Sequence, residues 1–447
     1  MDKYGEYVQK HRKLILDALD YIWKNPEIGY KEWKTHKYLA DAFEALGYTL
    51  TAAGNIPGFT AEIDTGRPGP TVAVFGEMDG LTIPAHPECD KETGAIHACG
   101  HCCQVAALLG LAAALKEPGA LDEMCGKIRL VVVPAEELID IEYRNELRKQ
   151  GVIRYFGGKP EFMRRGLLDG VDLSFVVHTT DGGSYALCNA GSNGFIVKNI
   201  AFKGVPAHAG GSPQEGINAL YAANLALNAI NALRETFEDP SHIRVHPIIT
   251  SGGTSVNTIP DDVQLECYIR GATMDKIMEV NKKVNRALSA SAAAMGANVR
   301  ISDMPGYFPR KYGRDFKDVF EKAFAPYVEK IDFSDRDWSG SCSDMGDISS
   351  VMPALHPNIG GAGGTLHGVD FCIPDPDMAC VTSAKAQLLA LKLLLEDEAK
   401  AAKQIVADYE PFFDSFQAYF DYMDKLDMDK ETVSYGSDGS VTLNFQN

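Results

Sequence analysis

Cys99 and His101 are separated by one glycine in His97-Ala98-Cys99-Gly100-His101, and Glu136-Glu137, His178 and His367 lie further along the chain. A thiol and an imidazole at this spacing could form a nucleophile with its base. They could equally be two ligands of a borderline divalent ion such as zinc, which accepts thiolate, imidazole and carboxylate together. The nucleophile reading leaves the paired glutamates idle. Cys99, His101, Glu137, His178 and His367 are more donors than one four-coordinate ion with an open position needs, whereas two ions sharing a bridging ligand use them well. Adjacent side chains can point apart, so one glutamate of the pair can bind metal while the other takes a proton from water. Asp79, in Gly76-Glu77-Met78-Asp79, could accept a hydrogen bond from a ligand histidine and fix its ring. Taken singly, each of these residues also has a plain structural reading. His86 and His97 read as structural or solvent-facing, and Cys102 and Cys103 as packing residues of an apolar helix.

The elements that must position these groups repeat one pattern. Thr71–Phe75, Lys127–Val133 and Val171–Val177 are near-continuous apolar runs. They are followed by Glu77 and Asp79, by Glu136-Glu137, and by His178. Such runs suit a mostly parallel sheet covered by helices on both faces, and open α/β sheets place their sites at the carboxyl ends of the strands. Helical spacing predicts helices over 5–24, 31–46, 102–115 and 381–395.

A different pattern occupies 194–308. Strands over 195–202, 245–250, 263–270 and 298–301, with helices over 213–234 and 275–295, give the strand–helix–strand–strand–helix–strand order of a ferredoxin-like α+β domain. It should interrupt the first domain, giving 1–193 and 309–403 as catalytic parts, 194–308 as a lid or dimerisation domain, and 404–447 as a C-terminal extension rich in acidic and aromatic residues. His208, between small residues in Val205-Pro206-Ala207-His208-Ala209-Gly210, could reach a transition-state oxygen. Asn257 and Arg270 flank the third strand of this domain, and Arg270 could clamp a substrate carboxylate. The glycine run 360–364, with Gly363, could line a pocket with backbone amides.

Composition limits the alternatives. The chain has 447 residues, 45% hydrophobic and 23% charged, with a formal net charge of -18. That acidity argues against a nucleic-acid surface. No apolar run reaches membrane-spanning length, and the polar start, Met1 to Lys13, does not resemble a signal peptide. Ten cysteines in so long a chain are no disulfide scaffold, so a reducing cytoplasm is expected.

Taken together, Asn25-Pro26-Glu27-Ile28-Gly29, Gly76-Glu77-Met78-Asp79, HACGH at 97–101, PAEE at 134–137, GVPAHAGGSP at 204–213, NTIPDD at 257–262 with Arg270, SDMGDIS at 343–349 and TLHG at 365–368 resemble the dimetal aminoacylase and carboxypeptidase superfamily. The likeness is to its amidohydrolase branch, which includes auxin-conjugate and aminobenzoyl-glutamate hydrolases. The pieces run in family order over about residues 10–395, and the Ser343-Asp344-Met345 loop resembles the aminobenzoyl-glutamate type. The resemblance implies two divalent ions, zinc or manganese, held by Cys99, His101, Glu137, His178 and His367. It implies Glu136 as general base, Asp79 behind a ligand, and His208 polarising the scissile carbonyl, often from the partner subunit of a homodimer. Asn257, Arg270 and the Gly363 loop would meet the substrate. The sequence departs from the family at Cys102-Cys103, where Asp or Asn usually follows HACGH, and at Glu77, which could be a substitute ligand.

The expected reaction is hydrolysis of an amide in a small N-acyl amino acid or related carboxylate-bearing amide. A metal-dependent dipeptidase or carboxypeptidase would use the same site. A non-catalytic binding protein with a degenerate metal site is the alternative from another class.

Overall fold

The computed structural model describes residues 3–445, which form two compact units. The first comprises 3–191, Arg310–Ser339 and Ser343–Phe416. The second comprises Ser192–Pro309, Gly340–Cys342 and 417–445.

The N-terminal helical stretch is two helices, α1 (Lys3–Lys10) and α2 (Arg12–Lys24), because the backbone at His11 leaves the helical region. After α3 (Trp33–Ala45) come β1 (Leu50–Ala52), β2 (Phe59–Asp64) and β3 (Thr71–Glu77). Next are α4 (His101–Leu115), β4 (Lys127–Val133), α5 (Ile141–Lys149), α6 (Gly158–Arg164) and β5 (Leu173–Phe175). The strand expected over 171–177 is therefore shorter, and His178 opens a separate strand, β6 (His178–Asp181), in a second small sheet.

The inserted segment supplies β7 (Gly194–Lys203), α7 (Ala219–Leu233), β8 (Arg244–Ser251), β9 (Asp262–Gly271), α8 (Met274–Ala294) and β10 (Asn298–Pro305). The helix expected from Pro213 begins later. Pro213–Glu215 is a single 3-10 turn, Gly216 is extended, and Asn218 caps α7 by accepting the Tyr221 N–H at 3.1 Å. The chain returns with α9 (Arg314–Phe324), α10 (Met345–Ser349), β11 (Ala354–Leu355), β12 (Asn358–Ala362) and α11 (Ser383–Asp408). It ends in α12 (Phe416–Asp424), β13 (Met428–Glu431) and a short hairpin pairing Val433–Tyr435 with Val441–Leu443.

The main sheet of the first unit runs β1-β2-β4-β3-β5-β11. β3 pairs in parallel with β4 and β5, and β5 with β11, while β1 and β2 form an antiparallel edge. All seven residues of β3 are buried, as expected of a strand covered on both faces. α4 is buried on every side, which accounts for its lack of a polar face. Its Gly110 lets α2 approach closely, since a Cβ there would lie 2.3 Å from Ile15 Cδ1. One helical stretch, Asp377–Asp408, is long and apolar enough to cross a membrane by length and composition, contrary to the sequence expectation, but its backbone leaves the helical region at Glu396, Asp397, Glu398 and Ala399. In addition, 67% of its apolar window is buried within the fold, and Leu388, Leu391, Leu394 and Leu395 are core residues.

In the second unit the sheet runs β8-β9-β7-β10-β13, antiparallel throughout. Its first four strands have the ferredoxin-like order. Val263, Leu265, Cys267 and Ile269 of β9 alternate inward. The fifth strand comes from the C-terminal tail, whose first part instead holds to the first unit, with Phe413 N donating to Ser350 O at 2.9 Å.

Candidate active site

β3, β4, β5 and β11 are parallel, so their carboxyl ends share one edge of the sheet. At that edge the structure gathers Glu77, Asp79, Cys99, His101, Glu136, Glu137, His178 and His367.

Gly100 caps α4 with φ 86°, and a Cβ there would lie 2.3 Å from Thr179 Cγ2. Only glycine allows this turn, which sets Cys99 and His101 facing the strand ends. Cys99 Sγ lies 3.3 Å from His178 Nε2, and His178 Nδ1 donates to the Thr179 carbonyl at 2.5 Å. His101 Nδ1 lies 2.9 Å from the Asp79 carbonyl and 3.1 Å from its carboxylate. The other Asp79 oxygen accepts the Glu137 N–H at 2.8 Å. One carboxylate thereby fixes the ring of His101 and the backbone of Glu137, the outer-shell arrangement that leaves an imidazole Nε2 to face a metal. His101 Nε2 is buried, lies 3.2 Å from Glu77 Oε2 and makes no hydrogen bond among the described residues. His367, at φ 60°, is tied to the Ala98 carbonyl by its N–H at 3.0 Å, and its Nε2 lies 3.0 Å from Glu137 Oε1.

Donor atoms of Cys99, His101 and His178 all lie within 4.8 Å of one another, as do those of Cys99, Glu137 and His367. Cys99 is common to both groups. This donor set, with His101 Nε2 buried and not hydrogen-bonded among the described residues, fits two divalent ions.

Glu136 is buried beside this cluster, 3.9 Å from His101 Nε2. Burial, and then the charges of Glu77 and Glu137, push its carboxyl well above the usual range. Burial opposes the charge on Glu137 too, but His367 and His101 hold it down at about 2. The adjacent glutamates thus have opposed proton affinities, the condition for separate roles. The turn that presents them is strained and braced. Ala135 sits at φ 58°, its N–H is accepted by buried Glu32 at 2.8 Å, and the Arg144 guanidinium donates to the Glu137 carbonyl. Gly158 packs against the same turn, where a Cβ would fall 1.7 Å from the Pro134 carbonyl oxygen. Gly158→Ala is therefore expected to displace the turn, lowering the thermal midpoint by several degrees and reducing bound metal. Calorimetry with elemental analysis checks this; unchanged values for both would refute it.

Glu77 also lies near His101 and Glu136, but its oxygens are engaged. Gln104 Nε2 donates to one at 2.7 Å and the Lys159 ammonium to the other. Lys159 also bonds Asp344, and all three charged groups are buried. The Glu77 oxygen that accepts from Gln104 also lies 3.2 Å from His101 Nε2. Sequence reasoning missed Lys159, which lies in a charged run without a period. It also missed His356, although Ala354-Leu355-His356 repeats the strand-then-histidine signal on a shorter strand.

Cys102 and Cys103 point into the apolar core. His86 bonds the Phe371 carbonyl at 2.9 Å, and His97 is fully buried rather than solvent-facing. The Gly363 N–H donates to the Cys372 carbonyl at 2.9 Å, so this amide is not open to a ligand. His208, Asn257 and Arg270 lie in the second unit. The His208 ring accepts the Gly211 N–H at 2.9 Å, and the next residue, Ala209, donates to the Asn257 carbonyl at 2.9 Å. Arg270 lies over the rings of Phe195 and Tyr268.

A parallel sheet with a cysteine, histidine and glutamate cluster at its carboxyl edge, and a separate ferredoxin-like unit, define the class as a metal-dependent hydrolase. Residues 189–295 match the peptidase dimerisation domain of the M20 family. The chain is 30% identical to the Xaa-Arg dipeptidase of Mus musculus, over 75% of this chain and 74% of that one. It is 32% identical to the indole-3-acetyl-aspartic acid hydrolase of Enterobacter agglomerans, over 56% and 55%. The fold superposes on a Bacillus subtilis protein described as a dinuclear metal-binding peptidase of the M20 family, with a TM-score of 0.62 and 21% identity, over 85% of this chain and 97% of that one. The chain belongs to the M20 family.

Proposed function

We propose that this protein hydrolyses the amide bond of a small N-acyl amino acid or a related amide bearing a carboxylate. The observation that carries this reading is the sharing of Cys99 by two donor groups with Glu136 beside them. Cys99, His101, Glu137, His178 and His367 would hold two divalent ions, zinc or manganese. When bound, these supply Lewis-acid polarisation and lower the pKa of water.

Glu136 takes the proton of the attacking water and carries it to the leaving nitrogen. Asp79 keeps His101 oriented. His208, Asn257 and Arg270 meet the substrate, with His208 stabilising the developing oxyanion and Arg270 favouring a free carboxylate. A homodimer, with His208 supplied by the partner subunit, agrees with the dimerisation domain. The expected compartment is a reducing cytoplasm, where ten cysteines in a chain this long would stay as thiols.

Elemental analysis is expected to find two ions per chain. Chelation should reduce hydrolysis of N-acyl amino acids by at least 100-fold, and zinc or manganese should restore it. In a panel setting N-acyl amino acids and aromatic acyl amides against dipeptides, faster turnover of dipeptides would instead assign a dipeptidase. No metal and no turnover would assign a binding protein.

A further inference from the structure

Four parallel strands end at the active-site edge. Three lead into groups already assigned: β3 into Glu77 and Asp79, β4 into Glu136 and Glu137, and β5 into His178. The fourth, β11, leads directly into His356.

The His356 ring is buried, with 9% exposure, and stands edge-on to His178 with centroids 5.6 Å apart and planes at 82°. His178 has both of its nitrogens engaged, one with Cys99 and one with the Thr179 carbonyl. His356 has neither nitrogen hydrogen-bonded among the described residues. It also belongs to none of the three close donor groups, although its neighbour His178 does. A histidine retained for packing alone would pair its buried N–H with a carbonyl, as His86 does here. A ligand would stand within the donor groups. His356 does neither. Of the two buried histidines with neither nitrogen hydrogen-bonded among the described residues, His97 and His356, His356 is the one that follows a strand of the site edge and stands edge-on to His178.

We propose that His356 is a substrate-contacting residue that donates its ring N–H to a carbonyl-type oxygen of the bound amide. This rests on the amidohydrolase reading and adds a contact to it. The oxygen belongs either to the acyl carbonyl or to the free carboxylate. Both present the same acceptor chemistry to an imidazole N–H at the wall of the cluster. Because the ring touches His178 without joining the donor groups, its removal should weaken substrate binding and leave the metal complement intact.

The test uses metal-loaded full-length protein. His356→Phe keeps a ring against His178 and removes the N–H, whereas His356→Gln keeps a donor. kcat/KM for an N-acyl amino acid should fall about 10- to 100-fold in H356F, the size of one lost buried hydrogen bond to a polar or charged acceptor, and less in H356Q. Elemental analysis should give wild-type metal in both. Calorimetric binding of the same amide to E136Q and to E136Q/H356F should show the weaker binding directly. Loss with both an N-acyl amino acid and its decarboxylated amide places the contact on the acyl carbonyl; loss with the carboxylate-bearing amide alone places it on the carboxylate. Unchanged binding and turnover in H356F, or loss of metal from it, overturns the assignment while leaving the amidohydrolase reading intact. A wild-type protein that holds metal but neither binds nor cleaves any amide in the panel overturns both.

Discussion

Glu136→Gln is expected to lower kcat for amide hydrolysis by about 10²- to 10⁴-fold, the range spanned by a positioned general acid–base. The substitution preserves shape almost completely and removes only the ability to take and return a proton. Three features make this carboxylate the group to lose. It is buried, its proton affinity is raised by burial and by Glu77 and Glu137, and it stands 3.9 Å from His101 Nε2 without belonging to either group that shares Cys99. Its neighbour Glu137 behaves oppositely, held ionised by His367 and His101 and fixed through its N–H by Asp79. Metal content and thermal midpoint should therefore stay at wild-type values in E136Q. Wild-type turnover in a folded, metal-loaded E136Q protein would remove Glu136 from the mechanism.

Lys159→Met should have the largest effect on stability, about 3–5 kcal/mol, as is typical when one partner of a buried ion cluster is removed. The Lys159 ammonium lies between Glu77 and Asp344, and all three are at most 1% exposed. These residues come from the end of β3, the start of α6 and the start of α10. The cluster therefore joins the chain before the insertion to the chain after it. The two carboxylates respond differently to their surroundings. Burial opposes the charge on Glu77, but Lys159, His101 and His178 hold it at about 2. Asp344 is raised to about 6, because burial outweighs its attraction to Lys159.

The sign of the pH dependence follows. Without Lys159, the folded-state pKa of Asp344 rises further above its unfolded value. The variant's folded state then binds more protons than its unfolded state, and it regains stability relative to wild type as the pH falls through that raised value towards 6. The stability gap to wild type should be widest in the alkaline range, narrow as the pH falls towards about 6, and level off below it. K159M/D344N should recover part of the loss at neutral pH. Denaturant unfolding of the three proteins across this range measures both effects, and a pH-independent gap would show that Lys159 contributes packing alone.

Much of the site was legible in the chain. Apolar runs with acids or histidines at their ends pointed to one sheet edge, because a strand buried on both faces must be apolar until it reaches solvent or a site. The alternation along β9 gave the ferredoxin-like unit for the same reason, applied to a strand buried on one face. Local backbone detail was less accessible. The late start of α7 depends on Gly216 and the Asn218 cap, and the break at His11 lies inside an unbroken helical pattern.

The sequence by itself determined the family, the donor types and the strand ends that carry them, since these depend on residue identity and short-range periodicity. Tertiary structure decided which donors gather, with Cys99 common to two groups. It decided that Glu77 is an acceptor held by Lys159 and Gln104, and that His356 joins the same edge. It also decided that the tail is divided, adding β13 to the inserted sheet. Each of these depends on contacts between residues tens to hundreds of positions apart. Such contacts leave no local period in the chain, because packing and burial, rather than spacing, select the partners.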